Sequence, residues 1–183
     1  MHDWSRRGFL AAAAAGLAAC NNGTRSSQRD VIDTRVRGAI GIMYREFPDS
    51  RELRAKSAGM LMMPLVTEAG FGVGGGYGEG ALLIDDAIVD YYSFVMGSFG
   101  FQIGAQQSAH ALFFMTPAAL ADFRGASGWT AGGDIQYALP DQGDAIGTST
   151  TKLLSPVIAV VFGQQGLIAG ATLNGGKYTR IVR

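Results

Sequence analysis

The sequence predicts an α+β fold in which N-terminal helices pack on a curved, mainly antiparallel, glycine-rich sheet or partial barrel. Apolar residues recur at steps of three and four over residues 29–47, which is the period of a helix with one buried face. Beyond residue 59 the chain consists instead of short apolar runs separated by Gly, Pro and Asp, which is typical of consecutive strands. Strands with short connections favour antiparallel pairing. The 27 glycines show no collagen-like period and indicate turns, bulges and close packing within the sheet.

An export signal is predicted at residues 1–19. Arg6 and Arg7 precede Phe9 and an alanine-rich run, an order that resembles a twin-arginine signal. The apolar run ends at Ala19 and is too short to cross a bilayer, which takes about 20 residues.

Cys20 is the predicted lipidation site, because Leu17-Ala18-Ala19-Cys20 resembles a lipobox. It is the only cysteine of the sequence, so the chain forms no intramolecular disulfide and no cysteine-based zinc site. Asn21 follows it in place of the Asp of the familiar inner-membrane retention signal, which favours the outer membrane. We expect an exported, membrane-anchored lipoprotein whose folded domain, residues 29–183, faces the periplasm beyond a polar tether at residues 20–28.

Three helices are predicted. The first spans Arg29 to Phe47 and is capped by Ser26 or Ser27; its apolar positions are Ile32, Val36, Ala39, Ile40, Met43 and Phe47. Asp49 and Glu52 have capping-box spacing for a short second helix through Lys56. Thr116-Pro117 opens a third helix that continues to about Arg124, since Thr accepts hydrogen bonds from free amides and Pro at the first position loses none.

The remaining segments are predicted strands. They are residues 60–63, 70–78, 80–84, 89–95, 99–105, 109–115, 132–139, 145–151, 157–163, 167–173 and 178–182. Asp85-Asp86 makes the turn of a hairpin between Leu83 and Val89.

Glycine occupies every second position in several strands, as in residues 70–74. Alternate side chains share one face, so such a strand has a face of almost bare backbone. Another strand or an aromatic ring packing on this face is the first interpretation, and an acyl chain or ligand lying in the groove is the second.

Gly70, Gly72 and Gly75 satisfy the G-x-G-x-x-G pattern, yet we predict no dinucleotide site there. The fingerprint requires a glycine turn that opens a helix, whereas these glycines continue into the apolar strand that ends at Ile84. No P-loop sequence is present.

No catalytic residue, metal site or cofactor is predicted. His110 is the single histidine after the signal, and its apolar neighbours favour a structural role over a catalytic one. Asp85, Asp86 and Asp90 lack EF-hand spacing, although carboxylates of this kind can bind Ca²⁺. An enzyme would require a cleft that collects Asp85, Asp90, His110 or Glu79.

Basic residues concentrate in the N-terminal helical segment, while the formal charge of zero gives no whole-protein argument for nucleic-acid binding. The candidate headgroup-binding residues are Arg29, Arg35, Arg37, Arg45, Arg51, Arg54 and Lys56. A cationic helix held beside a bilayer attracts anionic headgroups. The alternative is a solvated face in which Asp30, Asp33, Glu46, Asp49 and Glu52 balance these charges.

Three blocks then follow one another along the chain: residues 69–81 (AGFGVGGGYGEGA), 97–106 (GSFGFQIGAQ) and 161–167 (VFGQQGL). In this order they resemble the SYLF domain, over roughly Asp30 to Arg183. Eukaryotic relatives bind phosphoinositides, with an N-terminal basic amphipathic segment implicated, and a yeast relative binds actin filaments. The resemblance therefore implies binding of membrane lipids, either anionic or phosphoinositide-like, by a non-catalytic module of the bacterial envelope. A structural or protein-interaction module with an envelope partner is the alternative.

Overall fold

The computed structural model describes residues 24–132, 135–138, 155–166, 173 and 175–183. The predicted signal, Cys20 and the strand predicted at residues 145–151 lie outside the described residues, as does nearly all of the strand predicted at residues 167–173.

Three helices are observed: α1 (Thr24–Glu46), α2 (Ser50–Lys56) and α3 (Pro117–Gly125). Helix α1 begins within the predicted tether, so the prediction of Ser26 or Ser27 as its cap is wrong. The helix can begin this early because no Gly or Pro occurs between Thr24 and Gly38. Its buried positions, Ile32, Val36, Ala39 and Met43, are those that the periodicity predicts.

The two shorter helices test the capping predictions. Asp49 precedes α2 as predicted, but its own backbone is helical and its side chain makes no capping hydrogen bond. Thr116 does cap α3: its hydroxyl oxygen accepts a 3.1 Å hydrogen bond from the amide of Ala119.

Six strands form one sheet within the described residues. They are β1 (Gly59–Ile84), β2 (Ala87–Phe114), β3 (Trp129–Thr130), β4 (Ile135–Ala138), β5 (Val157–Gly166) and β6 (Lys177–Ile181). The sequence divides β1 and β2 into shorter pieces because their glycines resemble strand ends, whereas the structure continues each strand through them. All pairs are antiparallel except β4 with β5, and with the three helices this confirms the α+β class and the mainly antiparallel sheet.

A long hairpin of β1 and β2 dominates the sheet. Its register extends from Ile84 opposite Ala87 to Gly59 opposite Phe114. Asp85 and Asp86 form the two-residue turn, as predicted, and Asp85 adopts a positive φ of 52°, which Asp tolerates better than most residues. β2 then pairs through its other edge with β6 near its start and with β5 near its end.

The two halves of β1 approach each other closely. A Cβ atom added to Gly80 would lie 2.1 Å from the carbonyl oxygen of Met62, and one added to Gly78 would lie 2.7 Å from that of Leu65. Only glycine fits there. At these two glycines the bare face is covered by the backbone of the first half of β1 itself, and not by a separate strand.

The alternation of side chains along β2 separates two hydrophobic clusters. Leu112 and Phe114 belong to the interior cluster, together with Phe123 of α3 and Tyr178 of β6. Intervening positions such as Phe113 belong to a second cluster, which packs under the buried face of α1. The sheet thus has α1 on one face and the interior on the other.

Candidate functional site

The basic side chains of α1 point in several directions. Arg29 reaches back to the sheet, with its guanidinium 5.5 Å from the ring centroid of Tyr91 and a 2.6 Å hydrogen bond to the carbonyl oxygen of Arg183. Arg35, Arg37 and Arg45 are exposed. Arg45 donates a 3.2 Å hydrogen bond to the carbonyl of Gly41, one turn back in the helix.

The basic side chains of α2 have local partners. Arg51 lies over the ring of Tyr44, 4.5 Å from its centroid. Arg54 is 3.5 Å from the hydroxyl of Ser57, and Lys56 forms a 2.6 Å ion pair with Glu52. The seven candidates therefore do not form one cationic face.

Five exposed residues of α1 do share one face. They follow one another at steps of four and three, which keeps them on one side of a helix, and we call them the outer stripe: Val31, Arg35, Gly38, Ile42 and Arg45. Val31 and Ile42 are 46% and 37% exposed. The outer stripe combines two solvent-facing aliphatic residues with two arginines.

An open groove of about 650 Å³ lies between α1 and β1. We call it the α1–β1 groove; α1 contributes Gln28, Val31, Ile32 and Arg35, and β1 contributes Pro64, Leu65, Thr67, Tyr77, Gly78 and Glu79. Val31 and Arg35 belong to both the groove and the outer stripe, so the two features are continuous.

Two local features of β1 create this groove. The register passes from Met63 opposite His110 to Val66 opposite Ser108, so Pro64 and Leu65 together face one residue of β2, as in a bulge. Pro suits such a position because it lacks the amide that a regular ladder needs. The close approach at Gly78 then brings Tyr77 beside the bulge.

One end of the groove is charged. The carboxylate of Glu79 accepts hydrogen bonds from the Tyr77 hydroxyl and from the Arg183 guanidinium. Burial alone raises the pKa of Glu79, but these hydrogen bonds and the charges of Arg183 and Arg35 outweigh it and hold that pKa below its ordinary value. Glu79 is therefore ionised at neutral pH and satisfied by Arg183, while no hydrogen bond or ion pair holds Arg35 among the described residues.

His110 lies in the interior cluster, fully buried. Its Nε2 atom is 2.8 Å from the Tyr178 hydroxyl, and Phe94 packs edge-on with ring centroids 5.1 Å apart. Burial lowers the pKa of His110 to about 3, so the imidazole is neutral at neutral pH. The structural role predicted for His110 agrees with these contacts.

The four residues that a catalytic cleft would have to collect have different surroundings. Asp85 forms the exposed hairpin turn, Asp90 accepts a 2.9 Å hydrogen bond from Arg124, Glu79 borders the groove and His110 is in the interior. Over the described ranges, no three His, Cys, Asp or Glu side chains come close enough together to hold a metal ion.

Sequence reasoning missed the groove. Pro64, within an otherwise apolar run, is a signal for a bulge, but the apposition of Tyr77 and Pro64 depends on the crossing of β1 over itself. Nothing in the sequence indicates that Arg183 reaches Glu79.

The arrangement is that of an α+β binding domain with a continuous amphipathic surface and groove beside its first helix. A family model described as Ysc84, Las17-binding protein actin regulator, matches residues 95–181, and this match confirms the resemblance to the SYLF domain family. No curated protein sequence matches the chain. The matched residues begin near the end of the β2–β6 pairing, so the outer stripe lies before them.

None of the helices in the described part of the chain combines the length and the hydropathy that crossing a bilayer requires.

Proposed function

We propose that the protein is a membrane-anchored lipid-binding module of the bacterial cell envelope, attached through an acylated Cys20 and exposed to the periplasm. The outer stripe of α1 is the observation that carries this proposal. Aliphatic side chains that remain exposed between arginines suit a membrane interface, where the apolar groups enter the acyl boundary and the guanidinium groups bind phosphate.

The acidic residues of α1 offset the charge of the outer stripe only in part, through the exposed Glu46, which follows Ile42 by four residues on the same side of the helix. Asp33 is turned toward the sheet, where it accepts a 2.8 Å hydrogen bond from the Tyr91 hydroxyl. The outer stripe itself contains two arginines and no carboxylate. Its net charge is positive even though the whole chain has a formal charge of zero.

The strength of this contact supports a role for the anchor. Each basic residue near an anionic surface contributes about 1 kcal/mol, so two arginines alone give weak binding. Helix α1 starts at Thr24, four residues after Cys20. A chain of four residues spans at most about 14 Å, so the start of α1 lies within about 14 Å of Cys20. A lipid on Cys20 would keep the outer stripe next to the bilayer and raise its effective concentration there.

Vesicle flotation with the chain from Asn21, which lacks the acylated cysteine, tests the headgroup contact. This chain retains both hydrophobic clusters, because their residues all follow Asn21. We expect it to bind phosphatidylglycerol vesicles more strongly than phosphatidylcholine vesicles. The double variant Arg35→Gln, Arg45→Gln should bind the anionic vesicles about thirtyfold more weakly, since it removes both charges of the outer stripe, at about 1 kcal/mol each.

The matched control is Arg37→Gln, Arg54→Gln, which removes the same charge from positions outside the outer stripe. Equal binding to both kinds of vesicle would contradict the headgroup contact, and equal losses in the two double variants would contradict the outer stripe as its location.

A structural or protein-interaction module is the second candidate, because the description of the family model names a protein, Las17, as the binding partner. Crosslinking in intact cells that recovers one envelope protein, together with no preference for anionic vesicles, would favour this candidate over the lipid-binding one.

A further inference from the structure

We infer that the α1–β1 groove binds a single-chain anionic amphiphile, meaning one alkyl chain that carries a carboxylate or phosphate head. This inference rests on the proposed function because the ligand is again a lipid. It assigns a second binding site, however, which recognises a different kind of lipid molecule. The outer stripe would contact a bilayer surface, whereas the groove would hold one molecule.

The walls of the groove suit an alkyl chain. Val31 and Ile32 of α1 face Pro64 and Leu65 of the β1 bulge, and Tyr77 closes the side toward the second half of β1. Tyr77 is 52% exposed, the largest exposed aromatic side chain among the described residues. An apolar ligand in the groove would cover Val31 and Tyr77, two groove side chains that the fold leaves exposed to water.

The size of the groove selects among lipids. Sites of about 300–1,000 Å³ hold ligands of drug size. The groove, at about 650 Å³, falls within this range. A fatty carboxylate belongs to that size class, whereas a phospholipid with two chains exceeds it.

The charged end of the groove selects an anionic head. Glu79 is already bound by Arg183 and Tyr77, so its charge is compensated within the protein. Arg35 is exposed, borders the groove and has no ion pair among the described residues. Its charge acts on Glu79 from a distance, but no hydrogen bond or ion pair among the described residues holds its guanidinium, so a carboxylate or phosphate head can accept two parallel hydrogen bonds from it.

The position of the groove provides a route for the ligand. Val31 and Arg35 are shared with the outer stripe, so a chain that leaves a bilayer at the outer stripe enters the groove along a continuous amphipathic surface. Exposing an alkyl chain to water costs about 0.8 kcal/mol per CH₂, and transfer along this surface reduces the number of CH₂ groups that are exposed.

Titration of the chain from Asn21 with the fluorescent fatty acid cis-parinaric acid, at concentrations below micelle formation, tests the groove. We expect saturable binding of one molecule. Thr67 is an exposed groove residue on a strand, so Thr67→Trp fills the groove with an indole ring. It should weaken the affinity about tenfold or more, because the indole takes the place of several CH₂ groups.

The matched control is Thr130→Trp, the same substitution at an exposed strand position outside the groove, which should bind the probe as the unchanged chain does. Circular dichroism of both variants checks that they are folded. Absence of saturable binding, or equal affinity in Thr67→Trp and Thr130→Trp, would overturn the inference.

A third variant separates this inference from the proposed function. Ile42→Glu alters the outer stripe away from the groove, so it should weaken binding to anionic vesicles and leave the affinity for cis-parinaric acid unchanged. Vesicle binding without probe binding would reject the groove site alone. Probe binding without a preference for anionic vesicles would reject the headgroup contact alone.

Discussion

The α1–β1 groove and the interior of the sheet both place polar side chains among apolar ones, but water reaches only the first. In the groove, Glu79 remains ionised because Arg183 and Tyr77 bind it, and Arg35 is exposed at the surface. In the interior, His110 is neutral and its ring is fixed by Tyr178. A charged group can recognise a ligand that arrives from solvent or membrane, whereas a neutral buried group mainly contributes to stability, and the two regions therefore respond differently to substitution.

The largest expected effect concerns the crossing of β1 over itself, which supports both regions. In Gly80→Ala the new Cβ would lie 2.1 Å from the backbone oxygen of Met62, and backbone moves less easily than a side chain. We expect the free energy of unfolding, measured by urea denaturation, to fall by about 3 kcal/mol.

Gly97→Ala is the control for this substitution, because no atom lies within 4 Å of the added Cβ. The free energy of unfolding should change by less than about 1 kcal/mol there. Similar values for the two variants would show that the halves of β1 do not meet as described.

A smaller effect is expected from pH in the interior. The pKa of His110 is about 3 in the folded protein, while an unfolded histidine titrates near 6.5. As pH falls below about 6.5 the unfolded chain takes up a proton that the folded protein does not, so stability is lost progressively toward pH 3. From about pH 7.5 to about pH 5 this loss amounts to about 2 kcal/mol.

Urea denaturation at these two pH values, with His110→Gln alongside, isolates the histidine from the titrating carboxylates. The unchanged chain should lose about 2 kcal/mol more than the variant over that interval. An equal loss in both proteins would mean that His110 is not shielded from water.

The smallest effect on stability is expected in the outer stripe. Arg35 and Arg45 are exposed and form no ion pair among the described residues. Replacing either by Gln should change the free energy of unfolding, measured by urea denaturation, by no more than about 0.5 kcal/mol. A clear destabilisation would indicate that these arginines support the fold, and it would weaken any conclusion from their effect on vesicle binding.

Features set by neighbouring residues were predictable from the sequence. The buried face of α1 follows from its apolar periodicity, the start of α3 from Thr116-Pro117, and the hairpin turn from Asp85-Asp86. The fold class followed from the same patterns, and the order of the glycine-rich blocks indicated the family.

Features set by distant contacts were not predictable. The length of β1 depends on bulges that keep a glycine-rich and proline-containing strand paired with β2. Strand β3, only two residues long, is defined by its partner β6 and has no pattern of its own. Of the seven basic candidates, Arg35 and Arg45 alone share the outer stripe. Arg29, Arg51 and Lys56 have partners on the sheet, α1 and α2, and Arg37 lies on another side of α1.

The tight turn at Asp85 and Asp86 has a consequence for how the chain reaches this structure. Gly59 and Phe114 are paired although far apart in sequence, and closing such a loop in one step is entropically costly. Because the pairing continues from the turn outward and its register shifts at only three places, the ribbon can assemble progressively, with each new pair closing only a short additional loop. The longest-range contacts of β1 and β2 are then reached by a series of local steps.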